Sequence, residues 1–408
     1  MSTERSSSSN SATPRGRSLR VLGQRAGAAM VAALVVATSM PRAASAEAPA
    51  PAKSWYDVVS YRAFVDGYYS VNYRFPKPDN NAVGGVRAFD QDNGFALSWA
   101  GLDLSAPTAP VGGTVSLRFG PTANRFALAD AGLDFGLEFI KQAFVSWRPL
   151  ARLTLDFDKF ATPYGAEVSE AQDNFNYTRG VLNWAGQPFF HTGLRAGLTL
   201  SDQLTATLIA VNGWDRTIDN NTMKTFGVQL AYATQPVSLV LGYLVGPEQA
   251  DVVEVTDTDT GEVTVAKDSD ANGRLRHFVD AIVTARPSDK LTVLLNGDLG
   301  AETFSTASGD DTSLWYGGSL GVQYRPASTV AAALRGEYFG DPDGIRLGVA
   351  DQTILTGTLT LDYLPSPYLV FRLDNRLDWA DKGIFASGTA AGKDSQFTTT
   401  LGVIVKSS

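Results

Sequence analysis

The feature that most constrains the fold is an alternation of apolar and polar side chains in stretches of about ten residues. It begins near Tyr61 and continues almost to the end of the 408-residue chain. A period of two is typical of β-strands whose two faces meet different surroundings. In one stretch the apolar and charged side chains separate completely: Leu369, Phe371, Leu373, Leu377 and Trp379 against Arg372, Asp374, Arg376 and Asp378. Helical spacing would mix the two sets, so the stretch predicts a strand.

The connectors between these stretches alternate in length. Short ones such as Gln235-Pro236 and Pro365-Ser366 separate long ones such as 161–190 and 247–273. A soluble β-sandwich gives no reason for this asymmetry, whereas outer-membrane barrels have short periplasmic turns and long external loops. We therefore predict an all-β fold over residues 61–408, a transmembrane antiparallel up-and-down β-barrel of about 16 strands, within a range of about 14–18.

Aromatic residues near the ends of the stretches are compatible with the girdles that such barrels carry at the two membrane–water boundaries. Alone they are equally compatible with ordinary strand-favouring side chains, and the connector asymmetry favours girdles. The residues are Trp99, Trp147, Tyr232, Tyr243, Tyr324, Tyr338, Tyr363, Tyr368 and Trp379.

Residues 1–46 are predicted to be a secretory signal peptide. Several arginines precede an uncharged run from Ala26 to Met40, and Ala44-Ser45-Ala46 offers a cleavage site of small residues before Glu47. A transmembrane anchor is the alternative, but the run is shorter than the ~20 residues that span a bilayer. Residues 47–60 are expected to form a periplasmic N-terminal tail.

The composition disfavours several kinds of chemistry. The chain has no Cys and two His, which leaves little basis for thiol catalysis or an imidazole metal site. Its net charge of −8 argues against a nucleic-acid partner. Gly317–Gly321 matches the G-x-S-x-G pattern of serine nucleophiles but lies inside a predicted strand, so we predict no enzyme. No cofactor or metal is predicted, although calcium binding at Asp268–Gly273 stays open despite the missing Glu at the last ligand position.

A barrel of about 16 strands is too wide for side chains to fill, so its polar face is expected to line water. Basic and acidic residues are nearly balanced on this face, and the wall gives no basis for predicting ion selectivity. The lumen-wall residues singled out by position are Arg195, Arg335, Glu337, Arg372, Asp374, Arg376 and Asp378.

The connector 161–190 is the third long loop, which folds inward in general porins of this strand number. It carries Glu167, Glu170, Asp173 and Arg179. We predict a pore constriction in which the loop acids face wall arginines such as Arg195, Arg372 and Arg376, so that charge selects solutes. The alternative is an exposed surface loop.

Several segments resemble the OmpL-like β-barrel porins. They are Phe64–Tyr69, Lys159–Glu167, Asn174–Arg179, Pro188 and His191-Thr192-Gly193. The resemblance implies an outer-membrane channel and assigns no solute. One difference is the chain end: such barrels commonly end on an aromatic residue, whereas this chain ends Lys406-Ser407-Ser408.

These observations predict an outer-membrane porin for passive diffusion of small hydrophilic solutes or ions, in contact with lipid and forming a homo-oligomer, a trimer by analogy with barrels of this size. An alternative is a non-conducting barrel whose external loops bind a surface partner. A lipid-modifying barrel enzyme would need a Ser–His pair that the sequence does not visibly provide.

Overall fold

A computed structural model of the chain describes residues 58–77, 87, 93–133, 135–256, 263–306 and 309–407. The predicted signal peptide 1–46 and most of the predicted tail 47–60 lie outside these ranges. The strands are β1 (Ser60–Asn72), β2 (Gly94–Ala106), β3 (Val111–Phe119), β4 (Ile140–Leu150), β5 (Leu153–Ala161), β6 (Phe190–Thr199), β7 (Leu204–Val211), β8 (Thr225–Ala233), β9 (Val237–Pro247), β10 (Val252–Thr256), β11 (Val263–Lys267), β12 (Leu275–Ser288), β13 (Leu291–Thr306), β14 (Gly309–Ala327), β15 (Val330–Asp341), β16 (Gln352–Ser366), β17 (Leu369–Ala380), β18 (Phe385–Ser387), β19 (Ala390–Lys393) and β20 (Ser395–Lys406).

The helical segments are short and lie in long connectors. The α-helix α1 (Pro121–Ala127) begins with a proline, whose missing N–H costs nothing at a helix start. Single helical turns occupy Leu128–Asp130, Leu137–Phe139, Ala171–Asp173, Leu182–Gly186 and Ala271–Gly273. Within the described ranges, no helix is both long and apolar enough to span a membrane.

The main sheet is a closed antiparallel barrel of 16 strands, formed in sequence order by β1–β9, β12–β17 and β20. The first strand closes on the last, with Phe64 opposite Lys406 and Asn72 opposite Thr398. Closure gives each barrel strand a partner on both sides and so satisfies its backbone N–H and C=O groups. The predicted barrel and its strand number are confirmed.

Side-chain exposure along the barrel strands follows the predicted alternation. In β16, Leu359 is 45% exposed, whereas its neighbours Thr358 and Thr360 are fully buried. In β17, Leu377 is half exposed, whereas Arg376 and Asp378 are fully buried. The apolar face therefore points outward and the polar face inward.

The connectors also follow the predicted asymmetry, with one exception. Short turns at 151–152, 289–290 and 367–368 lie at one end of the barrel, and long connectors such as 162–189 and 342–351 lie at the other. Two long connectors contain small separate sheets, β10–β11 and β18–β19. The exception is the connector between β13 and β14, which is short because the two strands remain paired as far as Thr306 and Gly309.

The predicted girdle set contains one error. Eight of its members are 38–54% exposed: Trp147, Tyr232, Tyr243, Tyr324, Tyr338, Tyr363, Tyr368 and Trp379. Trp99 is only 1% exposed and packs against Phe64 and Phe126 instead. A β-bulge beside Ser98, where Asp66 pairs with Trp99 and Gly67 pairs with Leu97, breaks the two-residue period and turns Trp99 inward.

Candidate functional site

The connector between β5 and β6, residues 162–189, folds into the barrel lumen and is called here the inward loop. Val168 and Asp173 are its only exposed residues. Aromatic side chains attach it to the wall: Tyr177 is fully buried beside Tyr68, and Tyr164 contacts Phe278 edge to face. The alternative of an exposed surface loop is therefore wrong.

Polar wall groups also hold the inward loop. Asp374 of β17 accepts hydrogen bonds from the backbone N–H groups of Tyr177 and Thr178, at 3.1 and 2.7 Å. On the opposite wall, Asp280 accepts the Gly165 N–H at 3.0 Å. The loop is not a helix or strand here, so these carboxylates supply the partners that its buried backbone requires.

The predicted wall arginines Arg372 and Arg376 point into the lumen and hold the loop. Arg372 binds Asp362 at 2.7 Å and donates to the carbonyl oxygen of Ala171 at 2.5 Å. Arg376 donates to the carbonyl oxygen of Arg179 at 2.7 Å. Both arginines are almost completely buried, so they position the loop rather than face an open passage.

The loop acids have other cationic partners. Glu167 binds Arg335 at 2.5 Å. Glu170 binds Arg118 at 2.7 Å and Lys141 at 2.5 Å. Burial by itself would raise the pKa of Glu170, but Lys141 and Arg118 outweigh it and lower the pKa to about 2. Glu170 is thus ionised at neutral pH.

The three remaining predicted residues each have a different partner. Asp173 binds Arg62 at 2.7 Å, and both side chains keep more than a third of their surface exposed. Arg179 is 2% exposed and donates to the carbonyl oxygen of Tyr177 within the loop. Arg195 binds Asp156 of the wall at 2.8 Å.

The predicted pairing of the loop acids with Arg195, Arg372 and Arg376 is therefore wrong. Wall carboxylates and loop carbonyl groups already occupy those arginines. The other two predicted wall acids are also engaged: Glu337 accepts the Leu182 N–H, and Asp378 binds Arg376.

Three of the predicted loop residues line a single cavity, called here the inner cavity. It has a volume of about 220 Å³, and its lining includes Glu167, Glu170, Asp173 and Lys141. The two-residue alternation in the sequence did not identify Lys141 as inward-facing, because a β-bulge interrupts the pairing of β3 with β4 at this residue. Ser116 pairs with Gln142, and Leu117 pairs with Ile140. The bulge re-aims the lysine side chain toward Glu170.

A second cavity, called here the outer cavity, lies among the long connectors and has a volume of about 330 Å³. Its lining includes Trp184, Phe189, Trp214, Asp215, Arg216 and Arg346. Phe189 lines both cavities and stacks on Trp184 with 5.5 Å between ring centroids. The side chain of Phe189 therefore lies at the boundary between the two cavities.

The structure also shows the surroundings of the two other sequence motifs, Gly317–Gly321 and Asp268–Gly273. Ser319 lies within β14, opposite Glu337 of β15, and not at a strand-to-helix turn. Asp268 binds Arg274 at 2.7 Å. The described residues contain no cluster of His, Asp or Glu that could hold a metal ion.

A closed 16-strand barrel with a polar inner face and a long loop folded into its lumen defines the porin class of β-barrel channels. The family model described as "Putative beta-barrel porin-2, OmpL-like" matches residues 59–406, and the chain belongs to this family of outer-membrane porins. The resemblance seen in the sequence and the outer-membrane location are thereby confirmed.

Solved structures share the fold at low sequence identity. The outer membrane channel DcaP of Acinetobacter baumannii is 12% identical with a TM-score of 0.54, over 86% of this chain and 97% of that chain. A trimer form of OmpT of Vibrio cholerae is 13% identical with a TM-score of 0.52, over 86% and 99%. An anion-selective porin from Comamonas acidovorans is 14% identical with a TM-score of 0.51, over 86% and 99%. No curated protein matches the chain in sequence.

Proposed function

We propose that this porin passes small hydrophilic solutes or ions by passive diffusion along the inward loop. The observation that carries the proposal is the convergence of Glu167, Glu170 and Asp173 on the inner cavity, beside Lys141. Charges of both signs around one narrow space act on every ion that enters it. We assign the pore constriction to these residues, with Arg179 as an internal support of the loop.

The proposed route begins at the outer cavity and ends near the short turns. It passes Phe189 into the inner cavity and then reaches Asp173. Arg62, the partner of Asp173, lies near the start of β1, at the short-turn end of the barrel. The partial exposure of this ion pair is compatible with an exit toward the periplasm.

The test is reconstitution of the full chain in a planar bilayer. Stable stepwise conductance is expected, whereas its absence would favour a barrel that does not conduct. Asp173→Asn removes a negative charge from the route, so ion preference should shift toward anions. The matched control, Asp289→Asn, removes the same charge from an exposed short turn. Equal ion preference in the two variants would contradict the proposed route.

We also propose that the channel lacks enzymatic activity. Both histidines contact groups other than serine: His191 contacts Thr162 and the carbonyl oxygen of Gly213, and His277 contacts Tyr243. These contacts do not provide the serine–histidine pair of a lipid-modifying barrel. Esterase assays on the purified chain should give only the background rate.

Two further proposals concern the termini and assembly. Export is proposed to remove residues 1–46, leaving 47–60 as a periplasmic tail, and N-terminal sequencing of the exported protein should begin at Glu47.

A homotrimer is proposed because the Vibrio cholerae OmpT structure of similar fold is a trimer form. Native mass measurement in detergent tests this assembly, and a monomer mass would contradict it.

A further inference from the structure

The outer cavity contains two arginines that form no ion pair within the described part of the chain. Arg346 donates its Nε–H to the carbonyl oxygen of Ala185 at 2.5 Å. Its guanidinium lies 5.3 Å from the ring centroid of Trp214 and 5.2 Å from that of Trp315. Arg216 lines the same cavity. These two cations differ from Arg335 and Arg372 of the lumen wall, which both bind carboxylates.

The aromatic walls of the outer cavity are held in fixed positions. Trp214 meets Trp315 edge to face at 6.1 Å, and Trp315 donates its Nε1–H to the carbonyl oxygen of Gly186. Trp184 and Phe189 form a stacked pair on the wall that leads to the inner cavity. Flat apolar surfaces thus lie beside the guanidinium of Arg346.

Electrostatics of the cavity favour an incoming anion. Burial and the nearby Arg276 lower the pKa of Arg346 to about 10, and the opposing attraction of Asp215, Glu302 and Asp341 offsets this only in part. Asp215 is the acidic residue in the lining, and burial raises its pKa to about 7. Its Oδ1 accepts the backbone N–H groups of Phe189 and Phe190, at 2.5 and 3.1 Å. These hydrogen bonds of Asp215 go to the backbone, and Arg346 acts on its carboxylate through space, without a direct ion pair.

We propose that the outer cavity is a binding subsite for small organic anions with a carboxylate on a flat apolar body. The carboxylate accepts charge-assisted hydrogen bonds from Arg346, which Arg216 supports electrostatically. The apolar body lies against Trp184 and Phe189. The cavity volume of about 330 Å³ falls within the usual range for small-molecule sites. The inference deepens the proposed channel function, on which it rests, by naming a solute class.

Isothermal titration calorimetry of the folded chain in detergent tests the subsite, with benzoate as the probe. Benzoate should bind the wild type more tightly than acetate, which lacks the ring, and than benzamide, which lacks the charge. Arg346→Gln should weaken benzoate binding about tenfold or more. The matched control Arg152→Gln, in an exposed short turn, should leave binding unchanged. Unchanged affinity in Arg346→Gln, or equal affinity for benzoate and acetate, overturns the proposal.

Two further measurements separate misfolding and channel failure from failure of the subsite. Circular dichroism checks strand content in each variant, and Arg346→Lys keeps the charge while removing the planar guanidinium, so its benzoate affinity should be intermediate. An affinity of Arg346→Lys as low as that of Arg346→Gln would contradict the charge-based part of the proposal. Binding without any bilayer conductance would refute the channel function and leave the subsite standing. Conductance without benzoate binding would refute the subsite alone.

Discussion

Replacing Glu170 with Gln removes the carboxylate that joins the inward loop to Arg118 and Lys141 while preserving side-chain size. Glu170 is 4% exposed, so its ion pairs are little screened by water. Folding lowers the pKa of the Glu170 carboxyl group from the ordinary value of 4.5 to about 2. A shift of this size corresponds to about 3 kcal/mol of free energy of unfolding. Glu170→Gln should therefore lower the free energy of unfolding by about 3 kcal/mol at neutral pH.

The pH dependence of this effect has a definite sign. A lowered pKa means that the stabilisation is fully present above pH 4.5 and is lost as the pH falls through about 2. The difference between wild type and Glu170→Gln should shrink over that window. Urea unfolding in detergent micelles, followed by tryptophan fluorescence at neutral and acidic pH, measures the difference. A constant difference across the window would contradict the assigned role of the carboxylate.

The same substitution should change ion preference, because it removes the negative charge that faces Lys141 in the lining of the inner cavity. A unit charge about 4 Å from a permeating ion in water contributes about 1 kcal/mol, roughly a fivefold change in permeability ratio. Reversal potentials in a salt gradient should shift toward anions. Adding Lys141→Met to Glu170→Gln should reverse most of the shift, since the pair of substitutions removes one charge of each sign and restores the local net charge of the wild type. Reversal potentials identical to those of the wild type in both variants would refute the reasoning.

Two other substitutions test the loop contacts. A Cβ atom on Gly402 would lie 2.3 Å from the ring of Tyr177, so Gly402→Ala should cost about 1–3 kcal/mol in thermal unfolding followed by circular dichroism; Gly357→Ala, where nothing lies within 4 Å, is the control, and equal losses would contradict the close packing. Burial raises the pKa of Asp215 from 3.8 to about 7, so wild-type stability should fall as the pH rises through that window, and Asp215→Asn should remove this part of the pH dependence of Tm. Parallel Tm curves for wild type and Asp215→Asn would contradict the assignment.

The barrel was predictable from sequence because each lipid-facing strand repeats one local rule. Leu377 and Trp379 alternate with Arg376 and Asp378 in the sequence, and exposure alternates in the same way. Trp99 and Lys141 do not follow this alternation, because bulges in β2 and β4 each shift the two-residue period by one residue. Such a bulge leaves no clear mark in a single sequence.

The site was predictable only in part, because loop partners depend on the path that the loop takes through the lumen. The loop acids were identified from their place in the third long connector. Their partners were not, since Glu170 meets Arg118 of β3 and Lys141 of β4 across 52 and 29 residues. The alternation in the sequence correctly placed Arg372 on the inner face. It gave no indication that carbonyl groups of the inward loop would bind the Arg372 side chain.

The most direct test of the account uses the absence of cysteine from the natural chain. Asp173→Cys places a single thiol on the proposed route, and Leu359→Cys places one on the lipid-facing side of β16. A charged, membrane-impermeant thiol reagent added to single channels should reduce conductance in Asp173→Cys and leave it unchanged in Leu359→Cys. Unaltered conductance in Asp173→Cys, or a reduction in Leu359→Cys, would contradict a wet lumen that is narrowed by the inward loop.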